Sequence, residues 1–220
     1  MTTWGIWNQR NQVHLHKPCC ALDWIATQAK ERLQEFTTAL PPKPPRTTRT
    51  KDIRKPPHAS HFKINFDGAI FRNENRSGIG VVIRDHTGSV IVSLVQSISP
   101  TYQPREIEAL AAAQALEFGQ EIGIGGVVLE GDSKLIINSL KAGGNTIALV
   151  EPLIQDAILF SNSYSELQYS HCRREGNTLA HSLARYSINV SNYVVWMEEV
   201  PDHLLSDVQQ DLANLANQFQ

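Results

Sequence analysis

Residues 63–69 read KINFDGA: Lys63, Ile64, Asn65, Phe66, Asp67, Gly68, Ala69. Ile64 and Phe66 fall on one face, and Lys63, Asn65 and Asp67 on the other. That is the two-residue period of a β-strand with a single apolar face. The pattern expects Asp67 at the strand's end, where a carboxylate is held rigidly. Gly68 then lets another group approach the backbone closely. An Asp-Gly pair also closes hairpins, so the heptad alone does not separate a site from a turn. Two more carboxylates downstream, in matching contexts, tip the balance towards a site.

After a polar turn at 72–77, the segments 78–85 (GIGVVIRD) and 89–97 (SVIVSLVQS) alternate and are rich in β-branched residues. With turn-like residues at 86–88, three strands joined by short turns read as an antiparallel meander. Pro104 opens a helix in which Ile107, Leu110, Ala111, Gln114, Ala115 and Phe118 recur at helical spacing, until glycines at 123, 125 and 126 end it. The segment 127–132 (VVLEGD) is a short strand that again ends in a carboxylate, Asp132. Helices are expected from 133, over 149–160 and over 177–187, with a strand at 167–172 (LQYSHC). Strands alternating with helices add parallel strands to the meander. The expected fold class is α/β: a mixed five-stranded sheet, three antiparallel strands plus two parallel ones, flanked by helices.

Four segments follow. Residues 1–40 form a short helical N-terminal segment, with apolar positions at helical spacing from Leu22 to Phe36. Residues 41–57 (PPKPPRTTRTKDIRKPP) form a proline-rich basic linker, either a solvated spacer or a tether for phosphates. Residues 58–190 are the main domain, and residues 191–220 a C-terminal helical tail. The 220 residues carry a formal net charge of −2, so nucleic-acid binding needs a local basic patch rather than a polycation. Three cysteines, two of them adjacent and none at zinc spacing, argue against a disulfide framework and fit a reducing, intracellular setting. No secretory signal or membrane span is expected.

Asp67 and Asp132 end strands that, if parallel neighbours, leave the sheet at the same edge. Glu108, early in the helix after the meander, reaches the same edge. Three converging carboxylates repel one another unless a cation neutralises them. Hard oxygen donors without cysteines or paired histidines favour Mg²⁺, with Mn²⁺ as a substitute. Two such ions clamp the attacking and leaving oxygens of a phosphodiester. Each acid also has an ordinary structural reading, with Glu108 as first-turn helix charge and Asp132 as a helix cap.

The order strand-DGA, GIGVVIRDHTG, IEALAAAQALEFG, VVLEGDSKLIINSL and HCRREGNTLAHSLAR resembles the type 1 ribonuclease H family, in the form found in plant non-LTR retroelements and their domesticated relatives. The opening WGIWNQRNQ resembles the segment preceding that domain in such polyproteins. The resemblance implies two Mg²⁺ ions held by Asp67, Glu108 and Asp132, and hydrolysis of the RNA strand of an RNA/DNA hybrid. Glu106 is the runner-up for the second position. The family's fourth acid, in N-x-x-A-D-x-L-A, is here His181 within Asn177-Thr-Leu-Ala-His181. An imidazole can ligate metal but brings no negative charge. His171 matches a mobile histidine that relays protons or helps product leave. Gly68, Asn73, Asn75, Arg76, Ser77, Lys134, Arg173, Arg174 and Asn177 are the expected nucleic-acid contacts. The long basic handle of some members is not visible between 143 and 152. A monomer is expected. The other reading is a domesticated module that binds nucleic acid with little or no cleavage.

Overall fold

A computed structural model describes residues 2–18, 21–39, 57–144 and 148–216. The expected basic linker lies outside them except for Pro57, as do Cys19 and Cys20. The chain divides into two units, Met1–Arg49 and Thr50–Gln220. The first holds helices α1 (Thr2–His14) and α2 (Leu22–Ala39), which pack on each other. Among the described residues no helix is long and apolar enough to cross a membrane.

The second unit is built on a sheet of β1 (Phe62–Phe71), β2 (Arg76–Arg84), β3 (Val90–Ile98), β4 (Gly126–Gly131), β5 (Glu166–His171) and β6 (Tyr193–Met197), in the order β5-β4-β1-β2-β3-β6. The meander β1-β2-β3 is antiparallel, and β4 and β5 run parallel to β1. The sheet has six strands, not five. The extra one, β6, pairs antiparallel with β3 and comes from the segment expected to be purely helical. Helices α3 (Pro104–Glu121), α4 (Lys134–Lys141), α5 (Glu151–Ser161), α6 (Thr178–Tyr186) and α7 (Leu205–Ala216) complete the unit.

Both faces of the central strands are covered. Ile64, Phe66, Ile79, Val81 and Ile83 pack under α3, whose buried alanines and Leu116 let it lie close to the sheet. On the other face Val82 and Val95 meet Leu179, Ala180 and Leu183 of α6, joined by Val190, Val200 and Leu204. Gly78 and Gly80 of β2 face α6. A Cβ on Gly80 would stand 2.8 Å from the carbonyl carbon of Leu183, and closer still to Ala184 N and Ala180 O. The two glycines thus seat the helix directly on the strand.

One correction and one addition concern β1. Asp67 is not at its end: β1 continues to Phe71, with Asp67 opposite Gly80 of β2. On its other side β1 pairs with β4 only from Phe62 to Asn65, partners Val127 to Glu130. Asp67 therefore sits where its parallel neighbour stops. The polar face of β1 is also not solvated, since Lys63, Asn65 and Asp67 are all buried. Lys63 Nζ donates to Glu130 Oε2 at 3.0 Å, and Asn65 Nδ2 to Glu130 Oε1 at 3.1 Å. Asn65 Oδ1 accepts from Arg84 Nη1 at 3.1 Å, and Arg84 Nη2 donates to Asp211 Oδ2 of α7 at 2.9 Å. Burial of so many charges is tolerable because each is paired or hydrogen-bonded.

Candidate active site

Continuing the β1–β4 register by two residues brings Asp132 alongside Asp67. Asp67 Oδ1 accepts from the Gly68 N–H at 2.8 Å, and Oδ2 lies 2.6 Å from His181 Nδ1 on α6. Burial first, then the charge of Asp132, raises the Asp67 carboxyl above its ordinary value, against the pull of His181. Glu108, half-buried on the second turn of α3, is also raised. Burial leads, and the charges of Asp132 and Asp67 add to it, against a hydrogen bond from Ser133. The three carboxylates thus share one electrostatic environment at the edge where β4 ends.

Glu106 is used elsewhere. Its Oε2 accepts from the Gln103 N–H at 2.7 Å, closing the first turn of α3 as a capping box does. That leaves Glu108 as the acid of α3 that faces Asp67 and Asp132. His171 ends β5 opposite Gly131, and its exposed ring donates through Nε2 to the carbonyl oxygen of Asp132 at 3.2 Å. Arg174 Nη2 stands 2.8 Å from His181 Nε2 and 3.3 Å from Nδ1. A carboxylate can only accept, so Nδ1 carries the proton offered to Asp67, while the Arg174 guanidinium lies against the ring within reach of both nitrogens.

Among the described residues, no three His, Cys, Asp or Glu side chains are disposed as they stand to hold a metal ion. The donor chemistry nonetheless suits a hard cation, with crowded carboxylates whose charge is disfavoured for want of a counter-charge. Cys172, half-buried beside them, contributes no thiolate: burial and the charges of Glu130 and Asp132 push it up to about 12.

The expected nucleic-acid contacts fare unevenly. Asn177 is buried, with Nδ2 donating to Phe66 O at 2.8 Å and Oδ1 accepting from Asn65 at 3.1 Å, so it pins the start of α6 to β1 instead of facing a ligand. Gly68 admits α3, not a ligand, because a Cβ there would press on Ile107 at 2.9 Å. The turn after β1 lies about 13 Å along the strand from Asp67. Within it Arg76 Nη2 donates to Val190 O at 2.8 Å, buried Ser77 accepts from the Tyr102 N–H at 2.9 Å, and Asn75, at φ +50°, accepts from the Thr101 N–H at 3.2 Å. These three hold the fold together, and Asn73 is exposed in the turn. Lys134, Arg173 and Arg174 are exposed around the carboxylates. The residues not foreseen are Lys63, Asn65, Glu130, Arg84 and Asp211. The clue was in β2: an apolar run on both of its faces implies cover on both, and hence cover over the polar face of β1 beside it.

A family described as reverse transcriptase-like matches residues 65–187 of the chain. A protein of Arabidopsis thaliana described as a "Putative ribonuclease H protein" is 29% identical over 155 residues. The match covers 70% of this chain, which spans about a quarter (25%) of that relative's length. The ribonuclease H1 of the halophilic archaeon Halobacterium salinarum superposes with a TM-score of 0.54 at 22% identity, covering 59% of this chain and 98% of the archaeal one. LC11-RNase H1, solved in complex with an RNA/DNA hybrid, superposes with a TM-score of 0.52 at 24% identity, covering 58% and 96%. At such identity the two structures establish a shared fold.

Proposed function

From the chain's membership of the reverse transcriptase-like family, and its ribonuclease H-like fold, we propose that it hydrolyses the RNA strand of RNA/DNA hybrids as a divalent-cation-dependent endonuclease. The observation that carries the proposal is the meeting of Asp67, Glu108 and Asp132, two of them raised by burial and by one another's charge. Such a cluster costs stability in a protein with no use for it.

Asp67, Glu108 and Asp132 would hold the cation, with Mg²⁺ as two ions the expected species and Mn²⁺ a substitute. Bound there, it would supply charge against the attacking and leaving oxygens of the phosphodiester and an acidified water. The protein's own part is positioning. Asp67 is fixed on the central strand, with its backbone clamped by Asn177 through Phe66. The seating of α3 on Gly68 aims Glu108 at the same edge. His171, anchored through Nε2, keeps Nδ1 to take up or release a proton at the rim. Lys134 and Arg173 add positive charge for phosphates on either side.

The test is cleavage of an end-labelled RNA/DNA hybrid in Mg²⁺, then in Mn²⁺, beside single-stranded RNA and duplex DNA. Asp67→Asn serves as the control. Hybrid-selective cleavage by the wild type, lost in Asp67→Asn, is the expected result. A folded wild type that binds the hybrid yet cuts it with neither ion refutes the proposal.

A further inference from the structure

His181 lies where the resemblance places a fourth acid, yet as it stands its Nδ1 is turned to Asp67 rather than open to a cation. Nδ1–H donates to Asp67 Oδ2 at 2.6 Å, and Nη2 of Arg174 lies against the ring, 2.8 Å from Nε2 and 3.3 Å from Nδ1. Asp67 Oδ1 is meanwhile occupied by the Gly68 N–H. Both oxygens of the central carboxylate are therefore engaged within the protein. The device is built in from below. Asn177 is buried and tied to Phe66 O, the residue before Asp67, while its own carbonyl accepts from the His181 N–H at 3.0 Å. Arg174 precedes Asn177 by one short turn, Arg174–Gly176, and His181 follows it by one helical turn. One buried asparagine thus sets both arms of the contact.

We propose that Arg174 and His181 form a clamp that holds the second oxygen of Asp67 against entry of a divalent cation, with His181 acting as a positioning residue rather than a ligand. The proposal rests on the reading of Asp67 as a cation-binding acid and deepens it. A cation that takes the lone pair of Oδ2 now facing His181 must displace Nδ1–H. Arg174 resists this twice, by holding the ring in place and by adding positive charge beside the site. Loss of either arm acts in one direction, towards tighter cation binding. A ligand role for His181 demands the opposite sign.

The experiment is calorimetric titration of Mn²⁺ into nucleic-acid-free protein, for the wild type and for His181→Ala, Arg174→Ala and Arg185→Ala. It is paired with ¹⁵N NMR of the histidine side chains with and without Mg²⁺. The expected result is a Kd lowered about fivefold in Arg174→Ala and at least as much in His181→Ala, the scale of one partly exposed charged contact. Arg185→Ala, an equal loss of charge one helical turn beyond His181, should change it little. His181 should show its proton on Nδ1 in the wild type, and that signature should be lost in Arg174→Ala and on saturation with Mg²⁺. Weaker binding in His181→Ala, an equal gain in Arg185→Ala, or an Nε2–H tautomer in the wild type overturns the clamp while leaving the nuclease proposal intact. Failure of every variant to bind Mn²⁺ overturns both.

Discussion

Replacing Gly80 by alanine tests how closely the site depends on the seating of α6. Gly80 is the β2 partner of Asp67, and its α-hydrogens face the backbone of Ala180, Leu183 and Ala184. A Cβ there would lie 2.8 Å from Leu183 C and nearer to two backbone atoms, whereas ordinary contact begins at 3.4 Å. Backbone cannot rotate away as a side-chain tip can, so α6 must lift by roughly 1 Å, and overpacking of this kind costs about 1–3 kcal/mol. Alanine is the better strand former by about 0.5–1 kcal/mol, which offsets a little. For a domain of this size the net loss lowers Tm by about 3–8 °C. The same lift stretches the 2.6 Å contact between His181 and Asp67 past hydrogen-bonding range. Urea denaturation followed by circular dichroism gives the stability, and the His181 side-chain ¹⁵N resonance reads the contact. Unchanged stability together with an unchanged resonance would mean that α6 does not rest on β2 as described.

The raised carboxyls give a pH dependence of known sign. Asp67 and Glu108 keep their protons to higher pH when folded than when unfolded, so their contribution to stability is present below their ordinary values of 3.8 and 4.5 and is lost as pH rises through the folded values. Without divalent cations, the wild type should therefore lose urea stability relative to Asp67→Asn as pH climbs from about 4, and a gap that stays flat with pH contradicts this. Asn65→Leu strands Glu130, Arg84 and Asn177 at once and should cost about 3 kcal/mol or more; a loss under 1 kcal/mol in denaturant titration would show the network to be dispensable. Asp211→Ala removes the carboxylate from buried Arg84 and should cost about 1–3 kcal/mol at neutral pH, and equal melting curves for variant and wild type would count against it.

Period and punctuation made the meander, the helix from Pro104 and the parallel pair legible, because these elements are long and regular. The strand β6 was not: YVVWM is short, does not alternate, and lies in a segment whose later leucines recur at helical spacing. Its strandness comes from the open edge of β3, a partner that no local pattern displays. The burial of the polar residues of β1 was hidden for a similar reason, since alternation reports which face is polar but not what covers it. Choosing Glu108 over Glu106 rested on register, and the geometry supplies a physical cause, as Glu106 is taken by the helix start. The turn residues Asn75, Arg76 and Ser77 look like ligand contacts in sequence because binding and loop-holding employ the same polar side chains.

The pairing of Arg84 with Asp211 links residues 127 positions apart. Synthesis is vectorial, and Arg84 emerges with the meander long before its carboxylate exists. Until residue 211 is made, the guanidinium has Asn65 but lacks its carboxylate. Completion of α7 therefore serves as a late checkpoint: the face that carries Asp67 is sealed only after nearly all of the domain has been read out.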